Sequence, residues 1–543
     1  MITRRSWLKL MSLTLAGAPV IGSNGAANIL RRNSFDSPLT LSPQNYYRYF
    51  TIFAEQERAV LGAQPQLPWQ WFVDNIPFVD LPDKEIEQTY YFRWYSFQKH
   101  IRQTASGTVI DEFLDDVPWA GKFNSISAAT GHHLREARWL RNQNYAESYA
   151  AFWFKPGSEP RRYSFWAADS VYAVYLATGN TVFMLKLFPK LIENYEAWEC
   201  SNQDASGLFH QIDDRDGMEK SISGSGYRPS INSYMHGDAI AIARMASLAN
   251  NLEVQRQYER KAMELRSLIE KCLWNPQDQF FETVKRAMPG SWANTRELIG
   301  YIPWYFEVPD HRFDVAWKQI FDPEGFAGNY GPTTAERRSP RYRFRDQHEC
   351  LWNGPSWPFA TTQTLVAMAN LLQDDAQSVL TTDDYYRLFA IYTRSHRLTL
   401  QGSEQVRWID EDLDPDTGEW IARDILAAHH QLPSNRGRYY NHSGYADLLI
   451  TGLIGLRPMS GNEALVRPLL ASGKWNYFAV DGIPYHGHLL TILYDRDGDR
   501  YHRGSGFQLL CDGHVIAHTT KLQALRVVLP AKPNSERRTL PTR

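Results

Sequence analysis

The sequence predicts a mainly helical fold, a toroid of helices followed by a small C-terminal β-sandwich. Three observations carry that prediction. Stretches with apolar residues at helical spacing recur between about residues 83 and 455, separated by loops rich in Gly, Pro and Trp. They show neither heptads nor a fixed repeat, which disfavours coiled coils and solenoids. At about Arg457 the texture changes to short apolar runs divided by Asp-Gly turns.

The elements are justified in chain order. Thr3-Arg4-Arg5-Ser6-Trp7-Leu8-Lys9 has the pattern of a twin-arginine export signal. The apolar run that follows, residues 10–21, is too short to cross a bilayer, and small residues at 22–27 offer a cleavage site. The expectation is an exported protein, periplasmic or extracellular, whose mature chain has no membrane span. Residues 28–43 read as a linker, 44–456 as the catalytic domain, 457–530 as the β-sandwich and 531–543 as a polar, basic tail. Helices are expected near 83–104, 167–178, 183–199, 233–249, 251–273, 358–373, 383–396 and 443–455. In 251–273, Tyr258, Ala262, Leu265, Ile269 and Cys272 share one face, and Asn275-Pro276 ends the helix. Strands are expected at 489–494, 506–511 and 514–518, with Asp497-Gly498 and Asp512-Gly513 as hairpin turns.

Composition narrows the function class. Lys and Arg number 58 against 60 Asp and Glu, a net charge of −2, which leaves no electrostatic footprint for nucleic acid or an anionic membrane. Eighteen Trp, 29 Tyr and 26 Phe exceed what a core of this size needs and suit a cleft that grips sugar rings. The four cysteines are far apart, without metal-type spacing, and read as buried thiols. No phosphate loop, dinucleotide fingerprint or Gly-x-Ser-x-Gly element is present, so no cofactor is expected.

Three segments combine carboxylates, aromatics and glycine. One is Asp213-Asp214-Arg215-Asp216-Gly217-Met218-Glu219, before the helix expected at 233. The second is residues 347–357, with Glu349, Trp352, Asn353 and Trp357. The third is residues 408–420, WIDEDLDPDTGEW, six carboxylates bracketed by two tryptophans. Each alone reads as a capped helix entry or an acidic turn; three together suggest one shared rim. Glycoside hydrolysis requires one protonated carboxyl to serve the leaving oxygen and one ionised carboxylate to act on water or on the sugar. Glu219, beside Met218 and the Asp213/Asp214/Asp216 cluster, is placed to hold its proton through desolvation and like-charge repulsion. Glu411, in a polar loop, is placed to stay ionised. The bracketing tryptophans are candidate sugar platforms.

With these residues on the page, the chain resembles the six-hairpin, (α/α)6 glycosidases grouped around trehalase, family 63 α-glucosidase and mannosylglycerate hydrolase, over roughly residues 40–458. Gly217-Met218-Glu219-Lys220-Ser221 matches that group's general-acid loop, with Glu for Asp. Glu411-Asp412-Leu413-Asp414-Pro415-Asp416-Thr417-Gly418 matches its general-base stretch. Trp352-Asn353-Gly354-Pro355-Ser356-Trp357 and Phe165-Trp166-Ala167-Ala168-Asp169-Ser170 match two further elements. The resemblance implies hydrolysis of a carbohydrate with inversion, by carboxyls about 6.5–9.5 Å apart. It implies sugar-hydroxyl binding by Asp169, Trp166, Glu349, Trp352, Asn353 and Trp357. Glu in place of Asp lengthens the acid by about 1.5 Å, which leaves Asp216 as a rival. His442, after Tyr439-Tyr440-Asn441, reads as a hydroxyl binder. The pairs His132-His133 and His429-His430 lack metal spacing, and Asp412/Asp414/Asp416 fail as a calcium loop because Pro415 intrudes. A lyase or epimerase on the same toroid, or a non-catalytic sugar-binding protein, are the alternative readings.

Overall fold

The computed structural model describes residues 39–531, apart from 287, 289, 345, 347, 374, 375, 401 and 430–434. The expected export signal, most of the linker and nearly all of the tail lie outside the described residues, as do Gln347 and His430. The described helices are α1 (Tyr47–Leu61), α2 (Trp69–Asn75), α3 (Lys84–Lys99), α4 (Thr130–Ala137), α5 (Asn144–Phe152), α6 (Ala167–Thr178), α7 (Thr181–Asn202), α8 (Pro229–Leu248), α9 (Leu252–Leu268), α10 (Ile302–Tyr305), α11 (Pro358–Leu371), α12 (Thr382–Ser395) and α13 (Ile421–Ala428). The protein is therefore mostly helical, with sheets toward its C-terminus.

Local chemistry sets the boundaries. Gly179, at φ 68°, ends α6 in the left-handed region, and the next residue, Asn180, caps α7 by accepting from Phe183 N at 3.0 Å. The two helices are thus joined by a two-residue turn and pack on each other. Asn251 caps α9 in the same way through Val254 N, at 3.2 Å, and a π turn carries the helix on through Ile269–Leu273. Helix α8 packs on α6, α7, α9 and α10, while α11 joins α10 to α12, and α12 reaches α3.

Two expected helices are shorter than the apolar spacing implied. The stretch 83–104 is helical only to Lys99. From there Ile101–Thr104 pairs with Gly107–Ile110 in a hairpin, because Gly107 turns the chain at φ 99°. Residues 443–445 are not helical, and the segment that follows winds as a π turn over Leu448–Leu453.

The C-terminal strands form a five-stranded antiparallel sheet and a three-stranded sheet. In the larger, Tyr477–Tyr485, His488–Asp495, Gly506–Cys511 and His514–Thr519 follow in order, and Phe78–Asp80 is added at the edge beside Tyr477–Tyr485. That edge strand comes from outside 457–530. Its Asp80 is tied back by Arg500 Nε at 2.7 Å and Tyr501 Oη at 3.0 Å. Asp512-Gly513 makes the expected two-residue turn, both residues at positive φ. Asp497-Gly498 instead sits in a longer connection. There the Asp495 carboxylate accepts from the backbone N–H of Gly498, Arg500 and Tyr501 and so closes the loop on itself.

Candidate active site

The three acidic-aromatic segments meet, and backbone hydrogen bonds join them. Trp352 N donates to Glu219 O at 3.1 Å, fastening the second segment to the first. Ser356 and Leu413 exchange N–H···O bonds of 2.9 and 3.0 Å, fastening the second to the third. Beside them opens a cavity of about 360 Å³ lined by Glu112, Phe113, Trp119, Tyr163, Glu219, Glu349, Cys350, Trp352, Trp357, Tyr440 and His442, among others. Trp352 and Trp357 stack with centroids 4.8 Å apart and ring planes 18° from parallel, presenting a broad apolar wall.

Glu219 follows a tight turn, with Gly217 in the left-handed region at φ 69° and Lys220 at φ 62°. Lys220 is anchored outward to Asp346 at 3.1 Å, and Met218 is fully buried. The Glu219 carboxyl therefore points into the cavity wall. Burial first, then the charges of Asp214, Glu411 and Asp213, push its pKa up from 4.5 to about 8. It is a carboxylic acid at neutral pH, for the two reasons the sequence supplied.

Glu411 is not in a solvated polar loop. Its side chain has no exposed surface, and burial moves its pKa above the usual carboxylate value against the opposing pull of Arg436. Arg436 grips its Oε1 with Nε at 3.0 Å and Nη2 at 2.7 Å. The same guanidinium reaches Glu349 Oε1 at 3.0 Å and lies over the Trp119 ring. Burial also pushes Glu349 up, but its own backbone N–H and the Arg436 guanidinium outweigh that and hold it below its usual value. The other Glu411 oxygen, Oε2, accepts from the Cys350 thiol at 3.4 Å, so Cys350 stands between this carboxyl and the cavity. Gly437 is required behind it: a Cβ there would fall 1.9 Å from Asp410 Oδ1 and 3.0 Å from Glu411 Cγ.

Several expected site residues serve the scaffold instead. Asp216 is sealed in an ion pair with Arg228, Nε to Oδ2 at 2.7 Å with neither side chain exposed, and the Ser230 hydroxyl donates to the same oxygen. Removing one partner of such a pair strands the other charge, so Asp216→Ala is expected to cost about 3–5 kcal/mol of stability. A thermal melt unchanged by this substitution would contradict the pairing. Asp169 is bound to Arg135 at 2.6 Å, Trp166 is wholly buried against Tyr234, and Asn353 donates to Phe344 O at 2.9 Å; none of the three lines the cavity.

The tryptophans that bracket the third segment are core residues, not platforms. Trp408 bonds Asp410 at 3.1 Å and Trp420 bonds Arg397 O at 2.7 Å. Of the six carboxylates, Asp412 accepts from Ala422 N at the start of α13, at 3.1 Å, while Asp414 and Asp416 pair with Arg343 and Arg337. The four cysteines are free, and only Cys511 is buried as expected: Cys272 and Cys350 are half-buried and Cys200 is exposed. Among the described residues the group within metal-binding reach is His488, Cys511 and Asp512 in the C-terminal sheet, not the helical-domain histidines. In that group His488 Nδ1 already bonds Asp512 at 2.7 Å.

Residues 122–443, more than half of the chain, match the mannosylglycerate hydrolase MGH1-like glycoside hydrolase domain. The chain belongs to this glycoside hydrolase family. Among solved structures, this chain is similar to a protein named "Sialidase", at 39% identity and a TM-score of 0.83. The match covers 92% of this chain and 46% of that one, so the chain spans under half of that protein's length. It is also similar in fold to the family 63 mannosylglycerate hydrolase of Thermus thermophilus in complex with Tris and D-glycerate. That match has 12% identity and a TM-score of 0.51, and covers 67% of this chain and 99% of the other. The chain shares the same likeness in fold, at 13% identity and a TM-score of 0.50, with an uncharacterised conserved protein of that organism; this match covers 67% of this chain and 99% of the other.

The sequence did not single out Glu112, Phe113, Trp119, Cys350, Arg436 or Tyr440. Cys350 and Tyr440 lie inside quoted segments, and proximity to Glu349 and His442 was the available signal. Glu112 and Arg436 carry no local motif, and Glu112 lies outside the matched span.

Proposed function

We propose that the protein is an exported glycosidase that removes a terminal sugar with inversion, Glu219 acting as general acid and Glu411 as general base. The observation that carries this reading is the asymmetry of the two carboxyls. Burial raises both, but Glu219 faces the cavity and keeps its proton to about pH 8, whereas at Glu411 a gripping guanidinium opposes the rise by favouring the ionised form. Each raises the proton affinity of a common neighbour, Glu112, so both act on one small volume. Glu219 gives its proton to the glycosidic oxygen as the bond to the anomeric carbon breaks. Glu411 takes a proton from the water that attacks the opposite face. The Trp352–Trp357 wall holds the sugar ring, with Glu349 and His442 at its hydroxyls.

The helix contacts support a toroid, since packing runs from α3 through α12, α11, α10, α8 and α6 to α4. The (α/α)6 arrangement, with the C-terminal sheets as a sandwich, is part of this proposal. Export by the twin-arginine route rests on Arg4, Arg5, Leu8 and Lys9. Among the described residues no helix is long and apolar enough to cross a membrane. An external oligosaccharide or small glycoside fits that address. The test is a panel of aryl glycosides that includes an α-glucoside and an α-L-rhamnoside. Turnover of at least one is expected, and turnover of none would defeat the reading.

A further inference from the structure

Outside the cavity, one corner of the larger C-terminal sheet gathers a thiol, an imidazole and a carboxylate. Leu490 pairs with Cys511 in adjacent strands, so His488, two residues before Leu490, shares a face of the sheet with Cys511. His488 and Cys511 are buried, and Asp512, which opens the Asp512-Gly513 turn, is half-buried. One ligand atom from each of the three lies within 4.8 Å of the others. His488 Nδ1 is 2.7 Å from Asp512 Oδ2, and Cys511 Sγ is 3.9 Å from the same oxygen. None of the three lines the cavity that holds Glu219.

A histidine–aspartate pair alone would be a turn clamp, but three features go beyond one. Around a tetrahedral zinc, with bonds of about 2.3 Å to sulfur and 2.0–2.2 Å to nitrogen or oxygen, donor atoms stand roughly 3.3–3.6 Å apart. The separations of 2.7 and 3.9 Å bracket that range, so shifts of under about 1 Å would admit the ion. The carboxylate is also aimed already. Leu489 N donates to Asp512 Oδ1 at 2.9 Å, and Asp512 N donates to Leu489 O at 2.8 Å. That leaves Oδ2 to the thiol and imidazole, with the outer support that orients a metal ligand. Finally, Cys511 is paired across the turn with His514, which stands on the same face and is exposed. Rotation about its Cα–Cβ bond brings a fourth donor within reach.

We propose that Cys511, His488 and Asp512, closed by His514, bind a zinc-type transition-metal ion that ties the two strand ends together. Thiolate and imidazole select such an ion over calcium or magnesium, which take oxygen ligands. On binding, the Cys511 thiol releases its proton to solvent and coordinates as thiolate. The His488 ring then carries its proton on Nε2, which frees Nδ1 for the metal. The role is structural. His488 pairs with Tyr485 across a turn that holds His486. His486 Nε2 lies 2.9 Å from Leu176 O, and His486 N donates to Ala177 O at 2.9 Å. The ion therefore stiffens the corner by which the sheet grips the end of α6, and no step of glycoside hydrolysis passes through it.

The test strips the full-length protein with a chelator, dialyses it, and titrates it with zinc and, separately, with cobalt. Zinc is expected to bind in a 1:1 ratio and to raise Tm by about 2–5 °C at roughly a hundred times its dissociation constant. Cobalt is expected to give the visible bands of a tetrahedral ion and a near-ultraviolet thiolate charge-transfer band; calcium should do neither. Cys511→Ser and His488→Ala should lose the charge-transfer band and the zinc-dependent rise in Tm. Cys200→Ser, at the exposed thiol, should keep both. Zinc binding undiminished by Cys511→Ser, or no thiolate band in the wild-type protein, would overturn the inference and leave His488 and Asp512 as a turn clamp. If neither sheet variant folds, the cobalt spectra of the wild type and of Cys200→Ser decide, and loss of the band in Cys200→Ser would assign the metal to that surface thiol instead. Activity on glycosides is read separately, so either idea can fail alone.

Discussion

Glu411→Gln is expected to lower kcat by roughly 10²–10⁴-fold, the range for loss of a positioned general base, while sugar binding by calorimetry stays close to wild type. The amide is isosteric and keeps an oxygen for Arg436, which also retains Glu349 at 3.0 Å. The clamp therefore survives the loss of charge, and what disappears is the capacity to accept a proton. Cys350 sharpens this expectation. Its thiol occupies the free oxygen of Glu411 at 3.4 Å, and burial, then the charges of Glu411 and Glu219, raise its own pKa well above the usual thiol value. It is thus a donor to the carboxylate and not a competing base at neutral pH. Near-normal turnover by a folded Glu411→Gln enzyme would remove Glu411 from the mechanism.

Glu219→Gln is expected to be as damaging for substrates with poor leaving groups, again by roughly 10²–10⁴-fold. Its signature is recovery with an activated leaving group such as a dinitrophenolate, which departs without protonation. A loss that does not depend on the leaving group would place the acid elsewhere. The same residue fixes the alkaline limb of the pH profile. The acid must carry its proton, so activity falls as pH rises through about 8, where Glu219 ionises.

The stability linkage has a definite sign. A carboxyl whose folded pKa lies above its unfolded value favours the fold below about 4.5 and loses that contribution as pH rises through about 8. Relative to wild type, Glu219→Gln should therefore gain thermal stability at pH 8 and not at pH 4. Parallel melts at the two pH values check this.

The parts of the site that were legible in the sequence are those carried by contiguous residues. Glu219 and Glu411 stand in short motifs, and the segment that carries Trp352 and Trp357 is locked to them by backbone hydrogen bonds of Trp352 and Ser356. The helix over 167–178 was equally legible, because Gly179 and Asn180 mark its end chemically. Less legible was the environment. Glu411 looks solvated among aspartates, yet three successive acids, Asp410, Glu411 and Asp412, are all buried, and Arg436 is found beside them only through the fold. Asp216 and Asp169 carry the right chemistry in the right motifs, but Arg228 and Arg135 take them. No local pattern announces an ion pair. Trp166 and Trp408 show the same ambiguity for aromatics, since an indole in a sugar-cleaving motif is as useful to the core as to the substrate.

The central claim is that a proton-holding Glu219 and a guanidinium-clamped Glu411 work on opposite sides of one bond. Proton NMR of the first product released from the best aryl glycoside, recorded before mutarotation, tests it most directly. The account predicts the anomer opposite in configuration to the substrate; the retained anomer would contradict it.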